Sequence, residues 1–433
     1  MKKEIKLWKR AKKKILHGNM LLSKRPEMHL PNMWPTYYLK AKGVNVWGLD
    51  KKKYTDMLFL VGPNTLGYAN SRIDNEVIKT IKKGNMSSLN CPEEVFLAEK
   101  LISIHPWANK VKFARSGGEA NAIAIRIARA ASGRDKVAIC GYHGWHDWYL
   151  SANLKDKSKL NKHLLEGLHP KGVPSKLKNT VIPFQYNDLN NLKKIVEKNK
   201  LAAIKMEVSR NQGPDNNFLQ QVRKLCNKNN IILIFDECTS GFRQTYGGLH
   251  KFYKVEPDMA MFGKALGNGY AITAVIGKDE IMSEAQESFI SSTFWTERVG
   301  PTAALATLKE MKRTRSWAKI TNLGNYLIKG WKYLGEKYKV DFNISSLPAL
   351  ATMNFTSDKK LEYKTFLTQE MLKKKYLAST LTYLSTAHNH SIIDKYIDEL
   401  EPIFKVLGEC EDGNKIEKFL QTKVCEKGFK RLN

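Results

Sequence analysis

The chain has 433 residues, 42% of them hydrophobic and 10% aromatic, with 28 Gly and 14 Pro, which gives apolar material for a large core and leaves no room for a collagen-like or low-complexity reading. No apolar run approaches the ~18 residues of a membrane span; IILIF at 231–235 is typical of the longest, so no membrane partner is expected. The formal charge of +30, from 72 Lys+Arg against 42 Asp+Glu, marks an anionic partner in many proteins, but the lysines are scattered in ones to threes and no helix-turn-helix, RNP or zinc pattern accompanies them, so no nucleic-acid partner is expected either.

The N-terminal stretch MKKEIKLWKRAKKKIL carries eight basic residues in its first fourteen and reads as a solvated basic helix. After it, His17, Gly18 and Asn19 interrupt the run before the apolar region of a signal peptide can form. Residues 1–65, with short strands in YYLKAKGVNVWGLD, read as the N-terminal segment of a small domain. Residues 66–320 alternate apolar strands with helical patterns. The strands are KVKFA (110–114), KVAIC (136–140), TVIPF (180–184), LAAIKMEV (201–208), IILIFDE (231–237), DMAMFG (258–263) and AITAVIG (271–277); EANAIAIRIARAA (119–131) and NFLQQVRKLCNKN (217–229) have helical period. Near-continuous apolar strands between helices predict an α/β fold with a mostly parallel central sheet covered on both faces. A long amphipathic helix, TNLGNYLIKGWKYLGEKY, opens the remainder, 321–433, which reads as a smaller α+β lobe built together with the N-terminal segment. The cysteines at 91, 140, 226, 238, 410 and 425 form no CxxC pair. They are neither a disulfide framework nor a zinc site, and a reducing cytoplasm fits them.

Ligands of such folds bind beyond the carboxyl ends of the strands, so polar residues there are the candidates. Ser116-Gly117-Gly118-Glu119 follows a strand and opens an Ala-rich helix. Ser and Glu at this spacing make a capping box, and the same free N–H groups at a helix N-terminus make an anion cup; the sequence leaves both open. Asp236 ends a buried strand, where a carboxylate needs a salt bridge or a protonated heterocyclic nitrogen. Lys264 ends another apolar strand, where desolvation frees an amine as a nucleophile toward aldehydes. Tyr142-His143 follows KVAIC, and an aromatic there serves as packing or as a stacking platform. His143 and His146 lack a third spaced ligand, so no metal site is expected. A phosphate cup, an aromatic platform, an acid for a ring nitrogen and a strand-end lysine together describe a pyridoxal 5'-phosphate site.

The stretches FARSGGEAN (113–121), GYHGWHDWY (141–149), LIFDECTSGFR (233–243), VEPDMAMFGKALGNGY (255–270) and SSTFWTE (291–297) resemble the class III aminotransferases of fold type I, and most nearly their glutamate-1-semialdehyde 2,1-aminomutase-like branch. The resemblance runs over nearly the whole chain. It implies a pyridoxal-phosphate enzyme moving an amino group between an amino-acid donor and a small carbonyl by a ping-pong route, or an aminomutase. By resemblance Lys264 is the Schiff-base lysine and general acid–base, Asp236 the pyridine-nitrogen partner, and Ser116, Gly117 and Gly118 the phosphate loop. Tyr142 is the stacking residue and Asn211 a contact of the phenolic oxygen. Thr293 reaches the phosphate from a neighbouring subunit, which implies a homodimer with shared sites.

Some positions depart from the pattern. Gly118 replaces the more usual Ser or Thr. Val208 stands for the Pro after Glu207, and Val61 for the Trp before Gly62-Pro63. No Arg lies between Arg315 and Arg431, and Gln212 stands where a switching Glu would fall, so both parts of the usual α-carboxylate switch are missing. Arg25, with Ser23 beside it, is left as the candidate contact for an anionic substrate group.

Overall fold

The computed structural model describes residues 2–163, 165–209 and 211–428. They form two compact units, Ser71–Trp317 and, from the two ends of the chain, Met1–Asn70 with Ala318–Asn433.

The Ser71–Trp317 unit is built on a seven-stranded sheet. Its strands are β1 (Lys110–Ala114), β2 (Lys136–Cys140), β3 (Val181–Pro183), β4 (Leu201–Glu207), β5 (Ile232–Asp236), β6 (Met259–Phe262) and β7 (Thr273–Gly277). The spatial order is β1-β7-β6-β5-β4-β2-β3. Strand β7 runs antiparallel to β1 and β6, and the other neighbouring pairs are parallel. Every residue of β4, β5 and β6 is buried, which is why these strands read as unbroken apolar runs. Helix α1 (Gly117–Ser132) covers one face with Ala120, Ile123, Ala124, Ile127 and Ala128, the spacing of a single helical face. It stops at Gly133, whose φ of 62° is the left-handed cap that glycine supplies. Because β1, β2, β4, β5 and β6 all point the same way, their carboxyl ends line one edge of the sheet.

The second unit interleaves the two ends of the chain. Strands Tyr38–Lys42, Asn45–Gly48 and Lys53–Asp56 form an antiparallel sheet that Tyr376–Leu377 extends in parallel. A three-stranded sheet, Phe342–Ile344, Leu350–Phe355 and Leu381–Tyr383, packs in a core with Trp331, Tyr363, Tyr396 and Phe404. The basic N-terminal helix, Lys2–Lys14, buries Trp8 and Ala11 and exposes Lys6, Lys9, Arg10, Lys12 and Lys13. Val61 sits at φ 59° between Phe59 at 41° and Gly62 at 67°, and a left-handed conformation is costly for a β-branched residue. Among the described residues no helix is long and apolar enough to cross a membrane.

Candidate active site

Asp236 is the last residue of β5 and is buried. Its Oδ1 accepts the Cys238 N–H at 3.1 Å, and its Oδ2 accepts from His143 Nδ1 at 2.9 Å. Lys205 Nζ stands 3.7 Å from the same Oδ2. Burial alone would push the carboxyl pKa up, but the Lys205 charge and the His143 hydrogen bond outweigh it and hold Asp236 well below the usual carboxylate range. The acid is therefore ionised. His143 is fully buried, and burial together with Lys205 pushes its imidazole below its ordinary value against the pull of Asp236. Facing a carboxylate oxygen, Nδ1 is the ring nitrogen that donates. Its Nε2 is buried and makes no hydrogen bond among the described residues.

Lys264 follows β6 through an extended Gly263 and opens a 3-10 turn, Lys264–Gly267. Its φ is 43°, a left-handed setting that costs a non-glycine residue about 1–2 kcal/mol. This turn swings the chain away from the strand direction, and Nζ donates to Thr239 Oγ1 at 2.7 Å.

At the tip of α1 the capping box is complete. Ser116 N–H donates to Glu119 Oε2 at 2.8 Å, and Glu119 N–H returns to Ser116 Oγ at 3.3 Å. The box uses the N–H groups of Ser116 and Glu119. It leaves those of Gly117 and Gly118, the first two of the helix, pointing out of the helix end. Capping and anion binding are therefore not alternatives here; different N–H groups serve each. A Cβ on Gly118 would lie 2.5 Å from His146 Cε1, so any larger residue there would have to displace that ring.

The loop after β2 carries Tyr142. Gly141, at φ 114°, lies so close to Glu207 that a Cβ would fall 2.6 Å from Oε2. The Tyr142 N–H donates to the same Oε2 at 3.2 Å, and the Gly141 N–H donates to His163 Nδ1 at 3.0 Å. Gly144, at φ 100°, then packs on Gly118. Tyr142 is half-buried, edge-on to Tyr149 with ring centroids 5.9 Å apart.

These pieces meet around Cys238. Its N–H bonds Asp236, and its Sγ is 3.8 Å from where a Gly117 Cβ would be and 3.5 Å from that of Gly263. The structure thus gathers Ser116, Gly117, Gly118, Tyr142, Asp236 and Lys264 at one edge of the sheet. It does not bring Asn211 or Thr293 into hydrogen bonds with them: both are exposed, and Thr293 opens a 3-10 turn, Thr293–Thr296. Arg25 and Ser23 lie in the other unit. Arg25 is fully buried with Nη2 3.5 Å from Glu426 Oε2, and the Ser23 carbonyl pairs with His29 Nε2 at 2.8 Å. Among the described residues no cluster of three or more His, Cys, Asp or Glu could hold a metal.

Sequence reasoning passed over three residues of this cluster. Lys205 carried a signal, a lysine inside the apolar run LAAIKMEV. Glu207 served only as a landmark, although its carboxylate fixes the Tyr142 loop. Thr239 carried no signal.

Residues 29–399 match the model of the family described as Aminotransferase class-III. The chain is 33% identical over 397 residues to the 3-aminobutyryl-CoA aminotransferase of Cloacimonas acidaminovorans, spanning 89% of this chain and 91% of that one. It is 29% identical over 394 residues to the glutamate-1-semialdehyde 2,1-aminomutase of Methanothrix thermoacetophila, spanning 86% and 90%. An omega-transaminase structure from Sphaerobacter thermophilus superposes with a TM-score of 0.83 at 22% identity, covering 93% of this chain and 97% of that one.

Proposed function

This chain belongs to the class-III aminotransferases, and from that premise we propose that the cluster at Asp236 and Lys264 is the site where its pyridoxal 5'-phosphate is held. The enzyme is an aminotransferase that moves an amino group between an amino-acid donor and a small carbonyl substrate in two half-reactions. When bound, the cofactor supplies an aldehyde for amine exchange and a ring that draws electrons from the reacting carbon.

The residues fit that group. The open N–H pair of Gly117 and Gly118, at the positive end of α1, suits a phosphate. The ionised Asp236 suits a protonated ring nitrogen, and His143 and the Cys238 N–H hold its carboxylate in place. Tyr142 offers a ring face, its backbone anchored by Glu207. Lys264, turned off β6 by its left-handed backbone, would hold the cofactor through its amine and, once displaced, would serve as the base and acid that moves the substrate's proton. Thr239 steadies its amine. The observation that carries the reading is Asp236: a buried carboxylate held by His143 and the Cys238 N–H and 3.7 Å from Lys205, at a strand end that the Lys264 turn shares through Cys238.

Thr293 meets the phosphate of a second copy. Its exposure supports this, as does that of its neighbours Phe289 and Phe294, 86% and 70% exposed, which a homodimer would cover. Asn211 is the contact for the phenolic oxygen. The six free, buried cysteines support a cytoplasmic setting. Arg25, with Ser23 beside it, is the residue this reading assigns to a substrate anion.

The test is a donor screen. Holoenzyme mixed singly with each amino acid releases the matching oxo acid from at least one of them, with a change in the visible absorption of the bound cofactor. Failure of every donor would overturn the reading. The relatives named as aminomutases favour a second one, in which the nitrogen leaving the substrate returns to it. A ¹⁵N-labelled amino-acid donor separates the two, because its label enters the product only in intermolecular transfer.

A further inference from the structure

Strand β4 holds a charged residue where its surroundings are apolar. All seven residues of Leu201–Glu207 are buried, and Lys205 is fully so. A buried ammonium is costly unless well paired. Among the described residues Nζ meets Asp236 Oδ2 at 3.7 Å and the Met261 thioether at 3.4 Å; burial pushes its ammonium below the ordinary lysine value, and Asp236 first, then Cys238 and Glu207, pull it back up. In the parallel register Lys205 lies beside Ile234, and Glu207 beside Asp236, so Lys205 and Asp236 project from one face of the sheet. His143 Nδ1 meets the same Oδ2 from the loop after β2. One carboxylate oxygen therefore answers to two protein donors apart from any ring nitrogen.

We propose that Lys205 is a positioning residue that acts through Asp236: its buried charge draws on the carboxylate, so that Asp236 holds the proton of the cofactor's ring nitrogen less tightly than an unpaired aspartate would. The proposal rests on the reading of Asp236 as the ring-nitrogen partner. Its consequence would be a ring of milder electron demand, set by a residue acting through Asp236 and not by residues that would touch the ring. Methionine matches the length of the lysine stem and the apolar neighbours, so Lys205→Met removes the charge with little change of shape; Lys205→Gln removes it and keeps a dipole.

The experiment loads wild type, both variants and Asp236→Asn with pyridoxal phosphate labelled with ¹⁵N at the ring nitrogen, and follows the ¹⁵N chemical shift with pH. The ring proton is lost in wild type at least about one pH unit, tenfold in the proton equilibrium, below the point at which it is lost in Lys205→Met, with Lys205→Gln close to the Met variant. A purely structural lysine would change thermal stability and leave the ring signal where it was. Superimposable titrations in wild type and variants overturn the proposal. Should neither variant yield folded holoenzyme, Lys205→Leu, which removes the charge, and Lys205→Arg, which keeps it, take their place: a ring titration raised by about one pH unit in the Leu variant and unmoved in the Arg variant supports the proposal, and equal titrations in both overturn it. Asp236→Asn keeps the two failures apart. If it leaves the wild-type signal unchanged, the ring-nitrogen reading falls and this proposal with it; if it moves the signal while the Lys205 variants do not, only the role of Lys205 falls.

Discussion

Two carboxylates stand side by side at the end of β5, and each is buried and bonded to an imidazole at 2.9 Å: Asp236 to His143, and Glu237 to His250. Their neighbourhoods differ. Around Glu237 the protein supplies the partners. Oε1 also accepts the His250 N–H, Oε2 accepts the Ser240 hydroxyl, and Trp107 Nε1–H closes the far side of the imidazole at 3.1 Å. His105, Phe262 and Phe242 seal the region with ring contacts, His105 and Phe262 lying 4.8 Å apart. Around Asp236, by contrast, the far nitrogen of His143 is buried without a hydrogen bond among the described residues, and the bare helix tip and the Lys264 turn meet at Cys238. A buried carboxylate–imidazole pair is thus no functional signal by itself. The signal is unused hydrogen-bonding capacity beside residues that have accepted backbone strain.

Substitutions break this comparison in opposite directions. Lys264→Ala, on the open side, should lower turnover by up to about 10⁴-fold, the upper size of a lost acid–base group, while the melting temperature stays within a few degrees; turnover and calorimetry check both halves. Asp236→Asn should keep the cofactor and lose about 100-fold or more in turnover, because a neutral partner no longer holds the ring nitrogen's proton. Wild-type rates in that variant would contradict the assigned role. Glu237→Ala, on the closed side, should cost about 3–5 kcal/mol of stability, the loss from breaking a buried pair, seen in denaturant unfolding, with turnover per folded molecule close to wild type. A large turnover loss without destabilisation would erase the distinction between the two sides.

The mildest effect is in the acid range. Burial lowers His105 to about 3, and His29, His163 and His388 to about 4. Their folded values lie below the ~6.5 of an unfolded histidine, so the unfolded chain takes the proton first. Stability is then level above about pH 7 and falls as pH drops below ~6.5, by about 1.4 kcal/mol per pH unit for each such histidine. Between pH 6.5 and 5, His105→Asn should therefore lose about 2 kcal/mol less than wild type. Equal losses, measured by unfolding at the two pH values, would mean that His105 does take a proton in the closed cluster.

Much of the central sheet was legible because its strands are buried on both faces, and burial on both faces writes itself as an apolar run. KVKFA and KVAIC match β1 and β2 residue for residue, and IILIFDE lost only its two ends. The helix after SGGE was legible from its alanines and its cap. Partnerships across the fold were not. The Glu207 clamp on Gly141 and Tyr142 joins the ends of two strands, and neither end shows it. Lys205 looks like a misplaced surface residue until the register sets it beneath Asp236. The sequence could not choose between cap and cup at Ser116, because the choice is made by individual N–H groups. Nor did the sequence around Arg25 show its carboxylate neighbour, Glu426, which comes from the far end of the chain.

The most direct test of the central claim uses two lysines, the half-buried Lys264 and the fully buried Lys205. Borohydride reduction of the holoenzyme fixes the cofactor to the amine that holds it, and proteolysis with mass spectrometry locates the label. The account predicts the label on Lys264 and none on Lys205; a label on Lys205, or on any other lysine, would contradict it.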